Sequence, residues 1–454
     1  MKGSLQEIAR ILSGTLIGPD VTFNGISIDT RTLTSENLYV AIKGQHFDGH
    51  HFISQAKAMG AVATLVSAPV DTDLPQLIVA DTRLALAELA GFWRKRLPIK
   101  VAGVTGSNGK TTVKEMIAAI FSTQGSTLFT KGNLNNDIGV PLTLLKLTPE
   151  HRYAVIEMGA NHSGEIAYTS RYAQADVSVI TNVGAAHIEG FGSLEGIAKA
   201  KGEIIENLSP NGVAILNRDD RFYEIWQNLA GARPIISFGL KDNAMIRALH
   251  IQTLLAQGQF TTQFELVCDA GRIEIELALA GQHNVKNALA AAAVALQFGI
   301  DLSSIKQGLE NLRPVTGRMQ PLLGRQGNTI IDDTYNANPD SLRVALDSLS
   351  ETNSELWLVL GAFGELGPES RAIHREMGTM IRERKITRLF ATGTNAEETV
   401  FAFGEGGAFY PTQDQLTLAL SQAITGKETL LIKGSRAQKM ENVVAALVEN
   451  FRAA

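Results

Sequence analysis

The sequence has little cysteine and little excess charge. Its 454 residues include one cysteine, Cys268, which excludes an intrachain disulfide framework and a zinc site built from several cysteines. Lysine and arginine number 41 and aspartate and glutamate 46, so the net charge is −5. This balance argues against a nucleic-acid binder held by general positive charge. It leaves room for a local basic pocket that binds a phosphorylated small molecule.

Long apolar runs are also missing. No stretch approaches the ~20 residues of a membrane span, and residues 1–18 lack the apolar core and cleavage site of a secretory signal. We therefore expect a cytoplasmic protein without membrane insertion. Hydrophobic residues make up 44% and charged residues 19%, as in globular proteins. At ~150 residues per domain, the length predicts two or three domains.

Short apolar runs alternate with helical patterns in three successive stretches, which predicts α/β units. Leu97-Pro98 and Arg313-Pro314 interrupt this alternation, because the residue before a proline disfavours helix. We therefore place three units at residues 1–98, 99–313 and 314–454.

Four segments have clear local predictions. We expect a helix from Asp81 to Leu97, antiparallel strands inserted at 244–280, and an alanine-rich helix at 283–298. A further helix is expected at 339–349, where leucine and alanine recur with helical spacing. Asn338 stands before that helix as a suitable N-cap.

The strongest local signal is GVTGSNGKTT at 103–112. A strand-like run ends, a glycine-rich turn follows, and a helix is expected to begin at Lys110. Such a turn points backbone N–H groups at an anion; Lys110 would reach the phosphates and the Thr111 hydroxyl would hold Mg²⁺. Val104 stands where the strict pattern has glycine, so this is a variant loop, and alone it fits kinases, GTPases, motors and ligases. The predicted nucleotide-binding residues of the loop are Gly106, Ser107, Asn108, Gly109, Lys110, Thr111 and Thr112.

Further motifs resemble the Mur ligases of peptidoglycan synthesis. They follow the family's order and span nearly the whole chain. The matching segments are DTR at 29–31, GNLNNDIGVP at 132–141, IEMGANHSGEI at 156–166, AAHIEGFGS at 185–193, AKAKGEI at 198–204, GQHNVKNALAA at 281–291, DDTYNANPDS at 332–341 and LIKGSRAQKME at 431–441.

The resemblance implies a three-domain α/β fold. Its first domain would bind a UDP-muramoyl peptide, its central domain would be a P-loop ATPase with a parallel sheet, and its C-terminal domain would be Rossmann-like. It also implies a ligase that joins D-alanyl-D-alanine to UDP-N-acetylmuramoyl-tripeptide through an acyl phosphate, giving the pentapeptide, ADP and phosphate. ATP and Mg²⁺ are the expected cofactors, and we expect a monomer that binds no nucleic acid.

The resemblance also assigns catalytic and metal-binding roles. It makes Lys110 catalytic, and it makes Thr111, Glu157 and His187 metal ligands, although Mg²⁺ prefers oxygen to histidine. It makes Lys201 a carbamylated lysine, in which added CO₂ turns the ammonium group into an anionic oxygen ligand. Nearby Lys199 is the competitor. From the residues alone, an ordinary strand-end carboxylate, a hydrogen-bonded histidine and a solvated lysine remain open alternatives.

Nucleotide and substrate contacts come from the same resemblance. It places Asn284 near the adenine and lets Arg318 and Asp333 contact the nucleotide phosphate and ribose when the third domain closes. An interdomain salt bridge is the alternative for that pair, and turns or caps are the alternative for the asparagines. The implied substrate-binding residues are Thr30 and Arg31 for the UDP part, Asn133 and Asn136 for substrate or phosphate, and Asn336 and Asn338 for D-alanyl-D-alanine.

One segment departs from the family pattern. Ala362 and Phe363 stand where the family usually has Asp-Met, so a role for an acid there is in doubt. No DNPR-type sequence occurs in this region, which argues against the sister ligases that add diaminopimelate or lysine. The alternatives are another ligase of this superfamily, a P-loop kinase and a nucleotide-gated binding protein without turnover.

Overall fold

The computed structural model describes residues 1–44, 47–184, 188–209, 211–256, 259–349 and 355–449. Four sheets have two, five, nine and six strands. Helices cover the larger sheets, and each sheet lies within one of the three predicted units. The α/β class predicted from the sequence is therefore confirmed.

The first unit carries the two smallest sheets. In the five-stranded sheet the order is β2-β7-β6-β5-β4, with β2 antiparallel to its neighbour and the rest parallel. β1 and β3 form a separate antiparallel pair. The elements are β1 Lys2–Ser4, α1 Leu5–Leu12, β2 Thr15–Ile17, β3 Thr22–Asn24, β4 Ile26–Ser27, β5 Leu38–Val40, α2 Ile53–Ala58, β6 Ala63–Val66, β7 Gln76–Ile78 and α3 Thr82–Lys95, with a 3₁₀ turn at Gly49–Phe52.

The central unit is built on a nine-stranded sheet in the order β16-β15-β14-β13-β12-β11-β8-β10-β9. Its strands from β8 to β13 are parallel to their neighbours, and β14 to β16 continue the same sheet as an antiparallel extension. The elements are β8 Lys100–Thr105, α4 Lys110–Ser122, β9 Thr127–Phe129, α5 Gly139–Leu144, β10 Tyr153–Glu157, α6 Glu165–Ala173, β11 Val177–Ile180, α7 Ile188–Phe191, α8 Leu194–Glu206, β12 Val213–Asn217, α9 Tyr223–Ala230, β13 Ile235–Gly239, β14 Ile246–Ala256, β15 Gln259–Cys268, β16 Gly271–Leu277, α10 Gln282–Gln297 and α11 Leu302–Glu310.

The third unit has a six-stranded sheet in the order β17-β18-β22-β19-β20-β21, in which β17 alone is antiparallel to its neighbour. The elements are β17 Gln320–Leu323, β18 Thr329–Asp333, α12 Pro339–Leu349, β19 Leu356–Gly361, α13 Ser370–Arg382, β20 Arg388–Thr392, α14 Ala396–Phe403, β21 Gly407–Tyr410, α15 Gln413–Ala423, β22 Thr429–Lys433 and α16 Glu441–Leu447, with 3₁₀ turns at Gly367–Glu369 and Arg436–Gln438.

The four local predictions are confirmed, with shifts of one or two residues at most helix ends. α3 begins after Asp81, whose side chain accepts hydrogen bonds from the first-turn N–H groups. α12 begins at Pro339 behind Asn338, whose side chain accepts from the Ser341 N–H at 2.8 Å. Both caps satisfy N–H groups that a helix start leaves without partners.

The units pack against one another through apolar side chains. α3 of the first unit contacts α5 and α6 of the central unit. Leu255 and Phe260, on β14 and β15, join the core cluster that includes Leu342 and Leu358 of the third unit. None of the helices in the described ranges is long and apolar enough to cross a membrane.

Candidate functional site

A cavity of about 870 Å³ lies where the carboxyl ends of the central strands face the start of the third unit. Open α/β sheets bind ligands at this edge. The predicted site residues in the cavity wall are Ser107, Asn108, Gly109, Lys110, Thr111, Thr112, Asn133, Asn136, Glu157, Asn284, Arg318, Asp333, Asn336 and Asn338. Gly106, Lys201, Thr30 and Arg31 are not in this wall. His187 falls outside the described residues.

The loop after β8 has the shape of a phosphate-binding turn. Gly106 has φ +147°, and a Cβ there would lie 1.9 Å from Thr181 Oγ1. Gly109 has φ +80°, and a Cβ there would lie 2.6 Å from Asn287 Oδ1. Both positions therefore require glycine, for conformation and for space.

The end of β11 holds this loop in place. Thr181 Oγ1 and Asn182 Nδ2 both donate to Asn108 O, at 2.6 and 3.0 Å. Asn182 also accepts from the N–H groups of Ser107 and Asn108. The N–H groups of the first turn of α4, residues 110–112, have no acceptor within the helix, and these residues line the cavity. These groups are the ones suited to a phosphate.

Lys110 bends back over the loop. Its Nζ donates to Gly106 O at 2.8 Å and to Ser107 O at 3.1 Å. Burial lowers the pKa of Lys110, the charge of Glu157 opposes this, and the charge of Arg318 lowers the pKa further. The Lys110 ammonium group is thus half-buried at the loop, and its close partners are backbone carbonyls rather than carboxylates.

Glu157 ends β10 and is buried at the floor of the cavity. Asn135 Nδ2 donates to its Oε1 at 2.8 Å. Its Oε2 is buried and has no hydrogen-bond partner among the described residues, and Lys114 Nζ lies 4.0 Å away. A buried carboxylate oxygen without a donor suits a hard cation such as Mg²⁺.

Within the ranges the structure covers, no group of three or more His, Cys, Asp or Glu could hold a metal ion. A cation beside Glu157 would therefore need further oxygens from phosphate, from the Thr111 hydroxyl or from a modified lysine.

The two candidate lysines on α8 have different surroundings. Lys199 is exposed and pairs with Glu195 at 2.9 Å. Lys201 is 2% exposed, and its Nζ lies 5.4 Å from the centre of the Phe191 ring. Burial, followed by the charge of Lys110, lowers the pKa of Lys201 to about 7. A pKa of about 7 gives Lys201 a large neutral fraction at pH 7, which carbamylation requires.

The start of α10 forms the far end of the cavity. Asn284 is buried and donates to Ala280 O at 2.9 Å, and it accepts from Asn287 Nδ2 at 3.1 Å. Burial and the charges of Lys286 and Lys433 lower the pKa of His283 to about 4. His283 is therefore neutral near pH 7, and the amides of Asn284 and Asn287 lie beside it, together with the charged Lys286.

The third unit reaches across the cavity to the phosphate loop. Arg318 Nη2 donates to Thr111 Oγ1 at 3.0 Å. Asn338 Nδ2 donates to Asn108 Oδ1 at 3.1 Å. Two side chains of the third unit thus touch two residues of the loop directly.

Asp333 and Asn336 lie beside these bridges. Asp333 Oδ2 pairs with buried Lys433 at 2.6 Å, and its Oδ1 accepts from the Met319 N–H. Lys433 also donates to Asn336 O at 3.0 Å. The salt bridge of Asp333 therefore forms within the third unit, with Lys433, rather than with Arg318.

The first-unit residues form a separate polar region. Arg31 pairs with Asp29 at 2.6 Å and is exposed, whereas Thr30 is buried. Hydrogen bonding to Arg31 lowers the pKa of Asp29. This region adds no residue to the wall of the large cavity.

The Ala362-Phe363 departure is buried in the third unit. Ala362 O accepts from the Ser435 hydroxyl at 2.7 Å, and the Phe363 N–H donates to His374 Nε2 at 3.2 Å. The segment is therefore held by backbone contacts and offers no acidic side chain.

Several cavity residues were not predicted. Substrate or phosphate contacts were predicted for Asn133 and Asn136 but not for Asn135. In the structure, it is Asn135 whose side chain contacts Glu157. Asn217 ends β12, Asp219 and Asp220 follow it, and all three line the cavity, as does Tyr335. The sequence could have predicted the residues at the end of β12, because polar residues directly follow the apolar run GVAILN and ligands bind at the carboxyl ends of parallel strands.

Comparison with known families matches all three units. The description "Mur ligase family, catalytic domain" matches residues 22–99, "Mur ligase middle domain" matches residues 104–295, and "Mur ligase, glutamate ligase domain" matches residues 317–436. Together these matches cover most of the chain.

Two relatives that match over nearly their full length have the same name. The chain is 46% identical to the UDP-N-acetylmuramoyl-tripeptide–D-alanyl-D-alanine ligase of Escherichia coli, over 98% of each chain. It is 41% identical to that of Haemophilus influenzae, over the full length of both. Among solved structures, MurF from Acinetobacter baumannii has a TM-score of 0.93 at 37% identity, covering 99% of each chain. MurF from Thermotoga maritima in complex with ADP has a TM-score of 0.82 at 28% identity, covering 93% of this chain and 96% of that one.

Proposed function

The chain belongs to the Mur ligase family, and we propose that it joins D-alanyl-D-alanine to UDP-N-acetylmuramoyl-tripeptide with consumption of ATP. The products are UDP-N-acetylmuramoyl-pentapeptide, ADP and phosphate, so the reaction is a step of peptidoglycan synthesis. The observation that carries this proposal is that the phosphate loop, Glu157 and the third unit all line one cavity. A ligase needs nucleotide and both substrates in one enclosed space.

Amide formation from a carboxylate is uphill and needs activation. The terminal carboxylate of the tripeptide attacks the γ-phosphorus of ATP, which forms an acyl phosphate and releases ADP. The dipeptide amine then attacks the acyl carbon, the C–N bond forms, the C–O bond to phosphate breaks, and the amine loses a proton. Positioning and charge stabilisation are the main contributions a protein makes to phosphoryl transfer.

The central unit supplies the phosphate contacts. The N–H groups of residues 110–112 and the Lys110 ammonium group hold the β- and γ-phosphates. Asn284 lies at the α10 end of the cavity, where we assign it to the adenine. Arg318 adds a cation from the third unit, and Asp333 is placed to accept from the ribose.

Mg²⁺ is the expected cation, and the residues present fit it. Glu157 Oε2 and the Thr111 hydroxyl would hold it, together with nucleotide oxygens. A carbamate on Lys201 would add an anionic oxygen ligand, and His187 remains a predicted ligand outside the described residues. When bound, Mg²⁺ neutralises charge on the transferring phosphoryl group.

Substrate contacts come from all three units. We assign Thr30 and Arg31 to the UDP part, Asn133 and Asn136 to the muramoyl peptide or phosphate, and Asn336 and Asn338 to D-alanyl-D-alanine. Asn136 also accepts from the Gly139 N–H at the start of α5, and Asn338 caps α12. These capping roles fix the side chains without preventing a substrate contact.

The direct test is a ligase assay with a panel of amines. The purified chain is incubated with ATP, Mg²⁺ and UDP-N-acetylmuramoyl-tripeptide, and phosphate release is followed with and without each amine. We expect release to depend on D-alanyl-D-alanine and mass spectrometry to detect the pentapeptide. A stable phosphorylated product without amide would indicate a kinase, and dependence on a different amine would indicate another ligase of the family.

The carbamate has its own test, in which ¹³C-labelled bicarbonate is added and the ¹³C carbamate signal is read by NMR. Only a neutral amine reacts with CO₂, so we expect labelling to rise as pH passes upward through about 7, the pKa of Lys201. Lys201→Ala should lose the signal and Lys199→Ala, the matched control, should keep it. A signal that persists in Lys201→Ala would contradict the assignment.

A further inference from the structure

The ring of Tyr335 lies against the arginine that reaches the phosphate loop. The Arg318 guanidinium carbon is 4.2 Å from the ring centre. On its other side Arg318 donates to Thr111 Oγ1. Its Nε is buried and makes no hydrogen bond within the described residues. The guanidinium is thus held between a ring face and a hydroxyl, and Arg318 lines the cavity.

The backbone on both sides of Arg318 is hydrogen-bonded to residues at the end of β18 and just after it. The Tyr335 N–H donates to Gly317 O at 3.0 Å. Gly317 has φ +73°, and a Cβ there would lie 3.1 Å from Tyr335 N. On the other side, the Met319 N–H donates to Asp333 Oδ1 at 3.2 Å. The stem of Arg318 therefore starts from a point held by the end of β18 and the residues that follow it.

The ring face of Tyr335 is the part that meets cations. Besides Arg318, the Arg436 guanidinium carbon lies 5.9 Å from the ring centre. A cation is attracted to the negative face of an aromatic ring, and more strongly where water is excluded. A planar guanidinium can also stack on the ring, which an ammonium group cannot do. Phenylalanine offers a similar face, so the contact does not depend on the hydroxyl.

We propose that Tyr335 is a positioning residue of the ligase reaction. Its ring orients the Arg318 guanidinium so that the third unit presents a cation to the transferring phosphoryl group. This inference rests on the proposed function, since it takes Arg318 as a phosphate contact. Tyr335 acts through Arg318, so removing the ring has no effect once the guanidinium is absent.

A double-mutant cycle with the full chain tests this coupling. Tyr335→Leu removes the ring and should lower kcat by about tenfold, with KM for ATP changed less than about threefold. Tyr335→Phe keeps the ring and should stay within about twofold of the parent in kcat. Arg318→Met should lower kcat further, and adding Tyr335→Leu to it should change nothing more.

The outcomes separate this inference from the proposed function. No amide product from the parent chain would refute the function, and full activity of Arg318→Met would refute the role of Arg318. If Arg318→Met is impaired, two results would overturn the Tyr335 inference. One is a Tyr335→Leu chain as active as the parent. The other is that Tyr335→Leu lowers kcat by the same factor in the parent and in the Arg318→Met chain. An equal loss in Tyr335→Phe would assign the effect to the hydroxyl and also overturn it.

Thermal melting checks that each variant folds. If Tyr335→Leu melts early, Arg318→Lys gives the same test without altering the ring, because it keeps the charge and loses the planar stack. We expect about a tenfold lower kcat for Arg318→Lys, and full activity there would contradict the inference.

Discussion

The two walls of the cavity are held in different ways. The central wall is a loop clamped inside its own unit, where Asn182 binds two successive loop residues and glycine is required at 106 and 109. The third-unit wall reaches that loop through two side-chain hydrogen bonds, from Arg318 and Asn338. From this difference we expect the central unit to bind the phosphates by itself and the third unit to complete the site for catalysis.

The largest effect should come from the central wall. Lys110→Ala removes the half-buried cation at the loop and should lower kcat about 10²–10³-fold, as does loss of one preorganised charge-stabilising group. A steady-state ligase assay measures this, with thermal melting to confirm folding, since the variant also loses the bonds to Gly106 O and Ser107 O. Unchanged turnover would remove Lys110 from the mechanism.

Rigidity of the same loop can be tested by stability. Gly106→Ala places a Cβ against Thr181 Oγ1 at a φ that disfavours side chains, so we expect a loss of about 3 kcal/mol in the free energy of unfolding. Gly299→Ala is the control: its φ is +76° and no atom lies within 4 Å, so backbone strain alone should cost about 1 kcal/mol. Denaturant unfolding compares the two, and equal losses would show that the loop is not tightly clamped.

The third-unit wall should show a smaller effect, on activity rather than on stability. Asn338→Asp keeps an oxygen that can cap α12 but replaces the amide donor to Asn108 Oδ1 with a second oxygen. We expect kcat/KM for ATP to fall about tenfold, because a hydrogen bond is lost and a charge faces an acceptor. The melting temperature should be unchanged. Parent-like activity would show that this bridge does not contribute to catalysis.

The smallest effect should come from the first unit, outside both walls. Arg31→Ala removes an exposed pair with Asp29, and such pairs contribute little to stability. We expect KM for the UDP substrate to rise by roughly three- to tenfold, as for one lost charge-assisted hydrogen bond, with KM for ATP unchanged. Equal changes in both KM values would mean that the effect is not local to the UDP part.

The sequence predicted the local features of the site but not the contacts between distant segments. The loop after β8, the start of α4 at Lys110 and the cap of α12 by Asn338 depend on neighbouring residues, and these elements are where the sequence put them. The partners of those groups lie in segments far along the chain. The residues around Asn135 do not predict its contact with Glu157, and those around Tyr335 do not predict its contact with Arg318. These partners are distant in the sequence and meet only when the chain folds.

Lys433 shows the same limit. No role for Lys433 was predicted from the sequence; in the structure it is 2% exposed and pairs with Asp333, one hundred residues earlier. The pairing follows from β18 and β22 being neighbours in the sheet, with Asp333 opposite Lys433 in the parallel register. Strand order is a property of the whole unit, so local patterns did not contain it.

The most direct test of the two-wall account is a structure of the chain with an ATP analogue and UDP-N-acetylmuramoyl-tripeptide bound together. The account predicts the γ-phosphate within hydrogen-bonding distance of Lys110 and Arg318, and the tripeptide carboxylate beside it in the same cavity. A structure in which the nucleotide binds the loop while Arg318 or the carboxylate lies in a different cavity would contradict it.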